Sequence, residues 1–144
     1  MSKVKSVLSK FKDDMDCAQA ILSTYGPELG LDSEIAVKLT DAFTDGMGRM
    51  GGTCGAVTGA FMVLGLKYGE RATGCQQANK KTHNLVEEFV DRFTFRNGSI
   101  VCKELLGCDI SNPEVLNSEK TKTLFKTACS KYVQSAAEII EELL

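Results

Sequence analysis

The stretch Gly51-Gly52-Thr53-Cys54-Gly55-Ala56-Val57-Thr58-Gly59-Ala60 places a cysteine where a glycine-rich loop turns into a helix. The first amides of a helix have no partner within it, and the helix dipole is positive at that end. A thiol held there ionises more readily and becomes a better nucleophile or metal ligand. Cys17 also falls in a first helical turn, so the same argument applies to it. Cys102 and Cys129 lie on the apolar stripes of their own helices, where a lone cysteine behaves as a small hydrophobe. Two such residues beside two helix-start cysteines point to a shared inward cluster. Cys75, on an inner helical stripe, and Cys108, in the loop after Gly107, read as structural extras. No Cys-x-x-Cys occurs, which removes a thioredoxin-type motif and a zinc knuckle. Any cluster is therefore assembled by tertiary packing.

Other chemistry-bearing residues give bland readings. His83, the sole histidine, sits at the edge of a helical stripe as an exposed or half-buried residue. Asp41 and Asp45 read as a solvated helix end. Arg49 could add positive charge near Cys54, although a loop arginine faces water as a rule. Met47, Met50 and Met62 read as core filler. Gly46-Met47-Gly48-Arg49-Met50-Gly51 spells GxGxxG, but a dinucleotide loop needs a strand before it within a βαβ unit. Here the preceding segment has helical periodicity, so the glycines read as a helix end and a sharp turn.

The elements that must position these residues are helical nearly throughout. Val4, Val7, Leu8 and Phe11 fit a first helix. Cys17, Ala18, Ile21, Leu22 and Tyr25 fit a second, started by Asp14 or Asp16 and stopped at Gly26-Pro27. Ser33 reads as the N-cap of a third that carries Ile35, Ala36, Leu39, Ala42 and Phe43 and ends at Gly46. The fourth, about residues 53–68, is apolar almost all round and reads as the buried central helix. Its Gly55/Gly59 face admits a close neighbour, and an internal helix crossing fits it better than a subunit contact. A fifth, about 74–93, turns Cys75, Ala78, Thr82, Leu85, Val86, Phe89, Val90 and Phe93 inward. A short helix over 99–106 carries Cys102, Asn112-Pro113 marks a loop, and a last helix covers about 118–143. No segment shows strand alternation. The expected fold is a single all-α domain over residues 1–144, a bundle of about six helices.

The chain has 144 residues, 43% hydrophobic and 25% charged. That is enough to build a core without disulfide staples. A net charge of −2 offers no surplus of cations for nucleic acid. No apolar run follows the N-terminal lysines and none is long enough to span a bilayer, so neither export nor a membrane partner is expected. A cytoplasmic location follows as the expectation, and there thiols are kept reduced.

Asp16-Cys17-Ala18-Gln19-Ala20, then Gly52-Thr53-Cys54-Gly55-Ala56-Val57-Thr58-Gly59, then Cys102-Lys103-Glu104-Leu105-Leu106-Gly107 and finally Cys129 resemble the C_GCAxxG_C_C family of small proteins to which redox activity is ascribed. The likeness spans about residues 15–135. It implies that Cys17, Cys54, Cys102 and Cys129 are the hallmark cysteines, supporting redox activity or holding a prosthetic group such as an iron–sulfur cluster. Cys75 and Cys108 fall outside the pattern.

Three functional readings stay open at this level. In the first, Cys54 as thiolate attacks a disulfide or oxidant and another of the four resolves it, with a redox protein or a small thiol as partner. In the second, Cys17, Cys54, Cys102 and Cys129 form one metal site, a set that suits zinc or an iron–sulfur cluster. In the third, the cysteines are buried small residues of a structural or interaction module.

Overall fold

The structure is a computed structural model that describes residues 2–69 and 80–144. The helices in chain order are α1 (Val4–Lys12), α2 (Cys17–Tyr25), α3 (Ser33–Thr40), α4 (Thr44–Met47), a single turn in which Asp45, Gly46 and Met47 wind left-handed, α5 (Gly55–Tyr68), α6 (Lys80–Asn97), α7 (Cys102–Leu106), α8 (Pro113–Leu116) and α9 (Glu119–Leu143). The fold is all-α. Among the described residues the only β feature is an isolated antiparallel bridge between Thr53 and Val101.

Local signals account for most boundaries. Asp16 caps α2 in a full capping box: its carboxylate accepts from the Gln19 amide, and the Gln19 side chain accepts from the Asp16 amide. Asp32, rather than Ser33, caps α3 by accepting from the amides of Glu34 and Ile35. Ser118 caps α9 through the Thr121 amide. Asn112 caps α8, a turn that was expected to be loop. α6 runs on to Asn97 before Gly98 turns left-handed, four residues beyond its last buried phenylalanine. Gly74, Cys75 and Ala78, read as the start and inner side of that helix, lie outside the described residues.

α5 is the centre of the core. Ala56, Val57, Ala60, Val63 and Leu64 are fully buried. The helix was expected to start at Thr53, but it starts at Gly55 with Cys54 as N-cap, because the 52–54 backbone pairs with residues 100–102 instead of coiling. α2 crosses α5 at very close range. A Cβ built on Gly55 would stand 3.2 Å from both the Ala18 nitrogen and the Cys17 Cβ. One built on Gly59 would meet Ile21 Cβ at 3.1 Å and Ala18 Cα at 3.2 Å. The small-residue face is thus an internal crossing, as expected.

α6 and α9 close the other side. Phe89 packs edge-to-face on Phe61 and parallel to Phe93, which in turn meets Tyr132. Arg92 and Arg96 on α6 bridge to Glu142 and Glu138 on α9. α3 departs from the expected pattern. Its buried residues are Ala36 and Thr40, while Ile35 and Leu39 face solvent, because the chain tightens into a 3-10 turn over Asp41–Phe43 instead of continuing to Gly46.

The α2–α5 crossing sets a test with a contested sign. Replacing glycine by alanine inside a helix gains about 1 kcal/mol of propensity. Overfilling a tight core contact costs about 1–3 kcal/mol. For Gly59→Ala the backbone of Ala18 cannot give way, so a net destabilisation of about 1–2 kcal/mol is expected from denaturant unfolding. Gly65→Ala, on the same helix with nothing within 4 Å of a built Cβ, should be stabilising. Equal effects at the two positions would contradict the close crossing.

Candidate functional site

Four cysteines meet at one cavity of about 700 Å³. Cys17 comes from the first turn of α2, Cys54 from the N-cap of α5, Cys102 from the start of α7 and Cys129 from the middle of α9. Cys54 is 5% exposed and Cys102 and Cys129 are 8% exposed, whereas Cys17 is half-buried. All four are free thiols, as is Cys108.

The Cys54–Cys102 side is set by backbone pairing. The Cys54 amide donates to the Ile100 carbonyl at 2.8 Å, and the Cys102 amide donates to the Gly52 carbonyl at 2.6 Å. The loop ahead of Cys54 supplies the counterpart. Asp45, Gly46, Met47, Gly48 and Arg49 are five consecutive left-handed residues, with φ between 52° and 70°. Each of the three that is not glycine costs about 1–2 kcal/mol there. Such strain persists where the surroundings over-determine it, and it gathers at functional sites. The Gly48 amide closes the turn on the Thr44 carbonyl, and the Gly52 amide donates to the Gly46 carbonyl at 2.9 Å. A Cβ at Gly46 would stand 2.7 Å from the Cys102 Cβ and 2.6 Å from the Gly52 nitrogen. The GxGxxG string is therefore a left-handed turn packed against Cys102, with no strand before it.

The Cys17–Cys54 side is set by the α2–α5 crossing. The crossing sets Cys17 against the start of α5, where a Cβ on Gly55 would stand 3.2 Å from the Cys17 Cβ, and its thiol neighbours both Cys54 and Cys129. The thiols are pushed apart in acidity. Cys54 is held below the ordinary thiol value, first by the hydrogen bond from Cys17 and then by the Ala56 and Val57 amides, against the opposing effect of burial. Neither amide closes a full capping hydrogen bond, so they act on the sulfur as aligned dipoles. Cys17 is driven well above the ordinary value by its contacts with Cys129 and Cys54 and by burial. Cys102 is driven up chiefly by burial. The site holds one thiol disposed to ionise beside a neighbour that keeps its proton.

Sequence reasoning missed the rest of the wall. Asp45 is no solvated helix end: it is half-buried, lines the cavity and pairs with exposed Arg49 at 3.6 Å. Arg49 thus serves Asp45 rather than Cys54. Asp16 lines the cavity as well as capping α2, and burial raises its carboxyl to about 6. Phe11, Phe125 and Tyr132 supply aromatic surface. The Tyr132 hydroxyl donates to the Leu105 carbonyl at 2.7 Å, which ties α9 to α7 across the cavity. The i, i+4, i+7 spacing of Lys122, Lys126 and Cys129 was the available signal for a lysine-bearing wall. His83 is exposed and remote from the cavity lining. Met62 packs on the core as expected, whereas Met50 is exposed. Cys108 lines a second cavity of about 340 Å³, with its sulfur 4.0 Å from the Thr121 hydroxyl. Cys75 lies outside the described residues.

Among the described residues no group of three or more cysteine, histidine, aspartate or glutamate side chains converges to hold a metal ion. The four cysteines share one cavity wall, with Cys17 neighbouring both Cys54 and Cys129. No helix among the described residues is long and apolar enough to cross a membrane.

The cysteines and glycines that build this cavity follow the pattern of one known family. A family described as "Putative redox-active protein (C_GCAxxG_C_C)" matches residues 15–143. The chain belongs to the C_GCAxxG_C_C family. Neither a curated protein nor a solved structure shows significant similarity to it. In this C_GCAxxG_C_C protein the pattern has a steric meaning. The glycines after Cys54 let α2 deliver Cys17, and the spaced later cysteines complete the same wall.

Two outcomes follow from the electrostatics. In Cys17→Ala the donor to Cys54 is lost, so the pH midpoint for alkylation of Cys54 should move up; an unchanged or lower midpoint would contradict the contact. For Asp16 the folded carboxyl titrates near 6 against 3.8 as a model group. Because the folded value is raised, its contribution to stability is full below 3.8 and is lost as pH rises through about 6. Asp16→Asn keeps an N-cap of equal rank, so unfolding measured across that window should show a weaker pH dependence than wild type.

Proposed function

We propose that this member of a redox-active family works by dithiol–disulfide exchange, with Cys54 as the attacking thiolate and Cys17 as the resolving thiol. The observation that carries the reading is the α2–α5 crossing, which sets Cys17 beside Cys54 at one cavity; their opposite shifts in acidity support it. The attacking group in exchange is the thiolate.

The step balances as two successive displacements. Cys54 thiolate attacks one sulfur of a disulfide, forms a mixed disulfide and releases the first thiolate. Cys17 then passes its proton to the released thiolate, through water, and attacks the Cys54 sulfur. The second thiolate leaves, and a Cys17–Cys54 disulfide remains. Two electrons pass to the substrate and its two thiols are the products. A dithiol reductant returns the protein to its starting state. Cys129, in contact with Cys17 on its other side, is placed to receive the disulfide in a further exchange, and Cys102 completes the wall as a thiol held protonated. A reducing, cytoplasmic setting suits such an exchange, since thiols are kept reduced there.

The test is a trapping experiment. Cys17→Ser should accumulate a mixed disulfide at Cys54, seen by intact mass and peptide mapping. Cys54→Ser should form no mixed disulfide at Cys17 on the same timescale. Adduct at Cys102 or Cys129 in place of Cys54, or no adduct in any variant, would overturn the reading.

A further inference from the structure

The attacking thiol stands at the back of a cavity, and what can reach it is set by the walls. Cys54 is 5% exposed, so a disulfide on the surface of another folded protein cannot meet it without opening the bundle. A space of about 700 Å³ lies instead within the range of small-molecule sites. Its apolar surface comes from Phe11, Leu105, Leu106, Phe125 and Tyr132.

The charges in the wall sort into satisfied and available groups. Lys122 pairs with Glu119 at 3.6 Å, and Asp45 pairs with Arg49 at 3.6 Å. Among the described residues Lys12 and Lys126 have no ion-pair partner, and neither do Asp14 and Asp16. Lys126 lies on the same α9 face as Cys129, three residues before it. Asp14 and Asp16 lie in the turn from α1 into α2, just ahead of Cys17. After internal pairing the cavity thus presents cations and carboxylates of its own, on α9 and on the α1–α2 turn, near the sulfur cluster.

From this geometry we infer that the substrate is a low-molecular-weight disulfide whose ends carry both a carboxylate and an ammonium group, as in amino acids and short peptides. The carboxylate meets Lys126 and Lys12, the ammonium meets Asp14 and Asp16, and the aromatic wall takes the intervening chain. The disulfide then lies over Cys54. The inference rests on the exchange chemistry proposed above. The reaction is the same two-electron exchange: the small disulfide is reduced to two thiols as the Cys17–Cys54 disulfide forms.

The test measures single-turnover oxidation of the fully reduced protein by three probes: oxidised glutathione, the neutral hydroxyethyl disulfide and the cationic cystamine. Each rate is divided by that of a free small thiol with the same probe, which removes intrinsic leaving-group differences. Electrostatic focusing in a cleft raises encounter rates by about 10-fold or more, so a normalised preference of at least that size for oxidised glutathione over both others is expected. The double variant Lys12→Gln/Lys126→Gln should lose most of that preference. Lys131→Gln, an equal loss of charge on the exposed side of α9, should keep it. Equal normalised rates for the three probes, or a disulfide-bonded protein substrate reacting faster than all of them, would overturn the substrate assignment and leave exchange chemistry standing. Failure of every disulfide to oxidise the protein would overturn both.

Discussion

The site depends on how closely α2 can approach α5. Helix axes normally stand 8–10 Å apart, with the side chains at the contact setting the distance. Here Gly55 and Gly59 contribute no side chain, and Ala18 fills the gap directly. The gain is not chiefly one of burial. It is that two cysteines from different elements, 37 positions apart in sequence (54 − 17), come side by side at one cavity. A methyl group at either glycine would lever the helices apart at the point where the sulfurs meet. The stability of this contact and the reactivity of the thiols are thus consequences of one steric allowance.

That allowance is matched by a strained one on the other side. The left-handed run from Asp45 to Arg49 is unfavourable for three of its residues, yet it folds the loop so that Gly46 sits against Cys102 and residues 52–54 pair with 100–102. The burial of α5 and the aromatic contacts of Phe61, Phe89, Phe93 and Tyr132 supply the stability that offsets the strain. Within the resulting cavity the four thiols differ by environment rather than by chemistry. Helix-end amides and a donated hydrogen bond favour charge on Cys54, while desolvation and neighbouring sulfur disfavour it on Cys17 and Cys102. A site with one ionisable and several protonated thiols can attack and resolve without ionising all its sulfurs in a buried space.

Much of this was legible in the residues. The 3.6-residue pattern placed α1, α2 and α9 within a residue or two, because capping residues and apolar stripes agreed there. The Gly55/Gly59 spacing indicated the close crossing; the helix-start argument agrees in direction at Cys54, where the neighbouring Cys17 matters more than the helix amides, and fails at Cys17, whose thiol is pushed up by Cys129, Cys54 and burial. What the chain pattern could not convey was tertiary. Pairing of residues 52–54 with 100–102 delays the start of α5, and nothing local signals it. Ile35, Ala36 and Leu39 looked like one inner stripe, yet only Ala36 of the three is buried, with Thr40 beside it. Asp16 and Asp45 looked like a cap and a solvated end, since their burial depends on a cavity wall assembled from α1, α2, α7 and α9. The metal reading was open for the same reason: cysteine count and order are compatible with a ligand set as well as with a cavity wall.

In the proposed exchange Cys54 and Cys17 are the first pair to exchange electrons. The most direct measurement is to treat the reduced protein with one equivalent of a two-electron thiol oxidant, quench it with acid, alkylate the remaining thiols and map the disulfides by mass spectrometry. The account predicts a Cys17–Cys54 linkage as the first and dominant intramolecular product. A first disulfide that leaves Cys54 as a free thiol, or oxidation that joins separate chains while this pair stays reduced, would contradict it.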